Sequence, residues 1–277
     1  METPVERTFE TPNPIELYVE SHSGLITITA ADVDRTEVTI TGRHAEDFLV
    51  EQRGDQVQVV APRPAMGFLA GNGHRSQVTV LMPAHSAPTV KTGSADTVLH
   101  GPLGGLWVNT GSGDVSAELV DGASEVVSGS GDVRVTELRG HARIKSGSGD
   151  VTVDRCDDLS ASTGSGDVRV DTAVGQLAIK TGSGDVQIGE AADDLSLSTG
   201  SGDLSVDVAR KGRYVVKGAS GDVRIGVPAG TPVWTDITTL SGRVRSDLTP
   251  VGAPAEGQDH LEIRATTASG DIVLQQR

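Results

Sequence analysis

Cysteine is nearly missing from this sequence. Cys156 stands alone among 277 residues, so no disulfide can close within the chain. Aromatic residues make up only 3%, which leaves few large side chains for a broad core or for stacking on sugar rings. No apolar run approaches the roughly 20 residues of a membrane-spanning helix. The opening residues from Met1 to Arg7 lack a basic region followed by an apolar core, so the sequence as written reads as a soluble cytoplasmic protein. Basic residues are outnumbered, 23 against 38 acidic, for a net charge of −15. Such a surface argues against nucleic acid or anionic lipid as the main ligand. No segment carries a sustained 3.6-residue stripe, which argues against helix.

What the chain has instead is a repeat. The tetrapeptide Gly-Ser-Gly-Asp or a close variant returns between residues 92 and 222. Its aspartates are Asp96, Asp114, Asp132, Asp150, Asp167, Asp185, Asp203 and Asp222, spaced by 18, 18, 18, 17, 18, 18 and 19 residues. A fixed period near 18 points to a solenoid in which each repeat is one coil stacked on the last. Directly after each aspartate, apolar and polar residues alternate, as in Val133-Arg134-Val135 and Val168-Arg169-Val170. A second alternating run follows, for example Leu177-Ala178-Ile179-Lys180-Thr181. Each coil therefore has two short strands with one buried face, joined by two corners. The Gly-Ser-Gly-Asp corner calls for glycine to supply positive φ, and the second corner is looser turn chemistry. One residue is missing before Asp167, between Val153 and Leu159. A deletion in that looser corner preserves the strand faces.

These features predict an all-β, single-chain, β-helix-like solenoid. Residues 1–90 form an irregular β-rich N-terminal part, 91–226 the regular coils, and 227–277 irregular coils that cap the C-terminal end. Ser23-Gly24-Leu25-Ile26 is a degenerate copy of the repeat. Near the other end, Ser241-Gly242-Arg243-Val244 keeps the corner but replaces its aspartate, and Ser269-Gly270-Asp271-Ile272 is a last copy.

Candidate sites are few. Stacked about 4.8 Å apart, neighbouring carboxylates repel by about 1 kcal/mol even in a water-like dielectric, so something must offset that. Either each carboxylate accepts N–H bonds from its own glycine corner, or calcium sits between corners held by Asp114, Asp132, Asp150, Asp167, Asp185 and Asp203. A second acidic column (Glu118, Glu137, Asp154, Asp171, Glu190, Asp207) reads as a solvated face partly balanced by Arg134, Arg169 and Arg224. Trp107, between inward Leu106 and Val108, points outward. It is either covered by the N-terminal part or a contact residue. Met66, Phe68 and Leu69 lie in a Gly/Pro-rich segment that folds back on the core, presents an apolar tip to a partner or dips into a membrane. Cys156 takes a position where other repeats have Leu138 or Ala173, which suits a buried filler. The seven histidines show no metal spacing, and neither a nucleophile elbow nor a complete nucleotide loop is present. No catalytic residue and no cofactor other than calcium is indicated.

The chain resembles the bacterial "putative adhesin" domains of unknown function. The likeness rests on Pro14-Ile15-Glu16-Leu17, the Ser23-Gly24-Leu25-Ile26 strand, the Val78–Pro83 strand and the serial Ser-Gly-Asp-Val copies. It implies a single-chain β-helix-like solenoid with no catalytic residues to carry over. The expected role is a binding or scaffold module for an unknown protein or glycan. End-to-end self-assembly, calcium-dependent adhesion and a carbohydrate-active enzyme are the alternatives.

Overall fold

A computed structural model describes residues 4–62, 76–255 and 257–277. It falls into two compact units, Met1–Arg139 and Gly140–Arg277. Among the described residues strand is the dominant element, and a short 3-10 turn at Ala45–Asp47 is the only helical one.

The first unit contains β1 (Val5–Glu10), β2 (Glu16–Ala31), β3 (Arg35–Thr41), β4 (Leu49–Arg53), β5 (Gln56–Val60), β6 (Ser76–Pro83), β7 (Ala87–Leu103), β8 (Leu106–Thr110), β9 (Val115–Val120), β10 (Ser124–Ser128) and the start of β11 (Val133–Ser146). Its coils pair in parallel. β8 and β10 continue the first half of β7, while β9 and the start of β11 continue its second half. β2 runs beside β7 for most of its length, with Gly24 facing Ala95 and Leu25 facing Asp96, so the degenerate copy is a true coil. Beyond β2 the pattern changes. β5 pairs with its first half and β6 with its second, and then the strands turn antiparallel: β4 on β5, β3 on β6, and β1 on β3. β1 and β4 are therefore edge strands.

The second unit contains β12 (Val151–Thr163), β13 (Val168–Ala173), β14 (Leu177–Thr181), β15 (Val186–Ala191), β16 (Leu195–Ser201), β17 (Leu204–Ala209), β18 (Gly212–Ser220), β19 (Val223–Val227), β20 (Val233–Thr239), β21 (Val244–Ser246), β22 (Leu261–Ser269) and β23 (Ile272–Gln276). All of its recorded pairings are parallel, and apolar side chains stack in columns. One runs Leu159, Leu177, Leu195, Tyr214, Ile263, and another runs Val151, Val168, Val186, Leu204, Val223, Ile272. These residues are nearly solvent-free. The missing residue falls between Cys156, which pairs with Ala173, and Leu159, which pairs with Leu177. It lies in the looser corner, and both strand faces are preserved.

Two details depart from the sequence reading. The looser corner does not always interrupt a strand, since β12 runs through it. The last coil of the chain is also not the last in space. β22 and β23 lie directly on β18 and β19, and the earlier strands β20 and β21 are laid outside them. The residues facing inward explain the order. β22 and β23 offer Leu261, Ile263, Ala265, Ile272 and Leu274. β20 and β21 set Val233, Ile237 and Val244 at inward positions too, but place Thr235 opposite Ile263 and Ser246 opposite Leu274. The coil with polar residues at core positions takes the outside, where one face of the column is wet.

Candidate functional site

The aspartates form a ladder, and its rungs differ from the expected ones. A carboxylate does not turn back to its own glycine corner. Instead its Oδ1 accepts the backbone N–H of the aspartate one coil further on. In the first unit Asp114 donates to Asp96 at 3.1 Å and Asp132 to Asp114 at 2.9 Å. In the second unit the amides of Asp167, Asp185, Asp203, Asp222 and Asp271 reach the carboxylates of Asp150, Asp167, Asp185, Asp203 and Asp222, each at 2.8 Å. The physical reason is direction: at this corner the aspartate amide points along the stack, and a two-atom side chain spans the gap to it. Charge-assisted bonds of this kind offset the repulsion between stacked carboxylates. Arg243 closes the second unit's ladder. Its amide donates to Asp271 Oδ1 at 2.9 Å, but its side chain offers no carboxylate to a further coil.

Serine and threonine fasten the same corner from inside. Thr110 Oγ1 accepts the Gly113 amide at 3.0 Å, Thr163 the Gly166 amide at 3.0 Å and Thr181 the Gly184 amide at 2.9 Å. The hydroxyl of Ser128 donates to the Gly131 carbonyl at 2.7 Å. The corner glycines Gly202, Gly221 and Gly270 have the expected positive φ, whereas Gly113, Gly131, Gly166 and Gly184 do not. A Cβ on Gly131 would overlap the carbonyl oxygen of Gly113, and one on Gly184 that of Gly166. Glycine is required there by the close approach of successive coils rather than by backbone handedness.

Of the six calcium candidates, Asp114, Asp150, Asp167, Asp185 and Asp203 therefore each have one carboxylate oxygen committed to a backbone amide, and Asp132 joins the ladder through its own amide. Among the described residues no group of three or more His, Cys, Asp or Glu side chains is arranged to hold a metal ion. The second acidic column is balanced mainly from the looser corner. Glu118 meets His100 and the Gly101 amide, Glu137 meets Arg139, and Glu190 meets Arg210. The Gly101 N–H, then His100, holds the Glu118 carboxyl below the ordinary carboxylate range, and the Arg210 guanidinium does the same for Glu190. Arg169 joins this face through Asp171, whereas Arg224 turns to Asp222 of the ladder. Cys156 is fully buried. Burial, then Asp157 and Asp158, pushes its thiol up to about 12, which leaves no thiolate at neutral pH.

Trp107 is uncovered, with 54% of its surface exposed. It stands in register between Thr89 on β7 and Glu125 on β10. Tyr18 lies one strand further along the same row, with the Lys91 ammonium 5.3 Å from its ring centre. Met66, Phe68 and Leu69 lie outside the described residues. Sequence reasoning passed over Trp234, which is 52% exposed, stacks under the Arg264 guanidinium at 5.3 Å and stands in register with Glu262. With Pro232, Val251 and Pro254 it lines an open groove of about 600 Å³. The signal was available, because Val233-Trp234-Thr235 repeats the setting of Leu106-Trp107-Val108.

No curated protein matches this chain. Several solved structures resemble it distantly. A "putative lipid binding protein" from Parabacteroides distasonis is 13% identical over 97% of this chain and 96% of its own, with a TM-score of 0.37. A "putative adhesin" from the same species is 12% identical over 98% and 97%, at 0.33. A "putative cell adhesion protein" from Clostridium sporogenes is 11% identical over 99% and 100%, at 0.23. Residues 14–275, from just before β2 to β23, fit one family throughout, and the chain belongs to the Toastrack DUF4097 family.

Proposed function

We propose that this chain is a non-enzymatic binding module of the "putative adhesin" type, which meets a protein or glycan partner through the outward face around Trp107. The observation that carries this reading is the exposed Trp107, set in an outward row with the half-buried Tyr18, Thr89 and Glu125 on adjacent parallel strands. A rigid sheet face with a half-exposed indole is a low-entropy contact surface, and indole suits both apolar protein patches and sugar faces. The aspartates that recur in every coil bond to backbone amides, and the single thiol is buried and protonated. These features favour binding over turnover.

The test is a glycan array and a bacterial-surface pull-down, each run with the wild type and with Trp107→Ala. The variant is expected to lose at least about tenfold in affinity, as for a central aromatic anchor. A partner held equally well by Trp107→Ala would overturn the reading.

A further inference from the structure

The two terminal edges carry opposite chemistry. β20, β21 and the corner between them form the outermost coil of the second unit. It is paired on one side only, so a row of backbone N–H and C=O groups is free on the other. Its apolar side chains are unusually bare: Leu240 is 83% exposed and Val244 48%. In a chain of net charge −15, residues 233–246 carry Asp236 against Arg243 and Arg245, a net +1. Neither arginine has an ion-pair partner among the described residues.

The first unit presents the complement. Its edge strands β1 and β4 border a groove of about 520 Å³ lined by Pro4, Val5, Phe48, Leu49 and Val50 together with Glu6 and Glu46. Arg7, which also lines it, donates to the Glu6 carbonyl rather than to a carboxylate. Leu49 is 51% exposed. The groove combines apolar side chains with two carboxylates, and the outermost coil combines bare apolar side chains with two unpaired arginines.

We propose that the corner Leu240–Arg245 of one copy docks into the Val5–Leu49 groove of a second copy. Leu240 and Val244 meet Val5, Phe48 and Leu49, and Arg243 and Arg245 meet Glu6 and Glu46. Charge decides the partner surface. Pairing the basic edge with its own copy would set its net positive charge against the same charge, and like charges across paired strands repel. The contact is instead heterologous, so each copy keeps one free surface of each kind and association can propagate. It is independent of the Trp107 face, and Trp107→Ala leaves it unchanged.

Sedimentation velocity of the full chain, from micromolar to near-millimolar concentration, tests it. The weight-average mass is expected to rise with concentration and to fall as salt is added. Leu240→Asp and Leu49→Asp are each expected to weaken association at least about tenfold, because each places a charge in the apolar contact. Both residues are exposed, and an unchanged melting curve verifies the fold. For a variant that melts early, Arg243→Glu with Arg245→Glu replaces the first and Glu6→Arg with Glu46→Arg the second. Each single-edge variant retains the other edge, so an equimolar mixture forms 1:1 dimers and nothing larger. A wild type that stays monomeric throughout overturns the proposal. So does self-association of either variant at wild-type strength, or a mixture that stays monomeric.

Discussion

Two coils of the second unit carry the same corner and have different fates. β22–β23 comes last in the chain, yet it is packed between neighbours, with Ile263, Ile272 and Leu274 sealed from water. β20–β21 comes earlier, yet it lies outside, with Thr235 and Ser246 at the equivalent positions and Val244 half exposed. Chain order does not decide which coil is covered, and the covered coil is the one without Thr235 and Ser246 at inward positions. A solenoid can thus end on a coil from the middle of its sequence.

The sharpest way to break this comparison is to remove residues 261–277. If coils followed chain order, the loss of the last one would cost little. With β22–β23 inside, the truncation strips cover from Tyr214, Val216, Val223 and Ile225, and the cooperative melting transition of this unit is expected to disappear in circular dichroism. Next in size is Ile263→Ala against Thr235→Ala. The first should lower unfolding free energy by about 3 kcal/mol through a buried cavity, and the second by under about 0.5 kcal/mol, measured by denaturant titration. Smaller still is Asp222→Ala, which leaves the part-buried Asp271 amide without its acceptor and should cost about 1–2 kcal/mol. Asp271→Ala affects only the Arg243 amide on the exposed coil and should cost under about 0.5 kcal/mol. Equal costs for the two aspartates would mean that inner and outer rungs do not differ. The smallest effect is expected from calcium. With one oxygen of Asp114, Asp150, Asp167, Asp185 and Asp203 already bonded to an amide, millimolar calcium should raise the melting temperature by no more than about 1 °C over chelator.

The period, the two strands per coil, the inward valines and the place of the missing residue were all legible in the sequence, because each follows from alternation and count. The partner of each aspartate was not, because spacing alone does not say which way a corner amide points. Nor was the reason for the glycines. Tight turns and close stacking both select glycine, and only the Gly113 carbonyl beneath Gly131 separates them. The inverted order of the last two coils could have been read from Thr235 and Ser246, had inward polarity been weighed above the shared corner. Trp107 was legible as outward from its place between Leu106 and Val108. That it is bare depends on the pairing of β7, β8 and β10, which no local pattern contains.

The aspartate ladder has a consequence for how such a chain can grow. Its rungs join residues 17, 18, 19 or 49 positions apart with the same bond. A rung therefore recognises a shape and not an ancestor in the sequence. A duplicated coil can be inserted at any rung, and the chain between two rungs can lengthen into a loop, with the rest of the stack unaltered. Length is then a heritable variable that gene duplication can change one coil at a time.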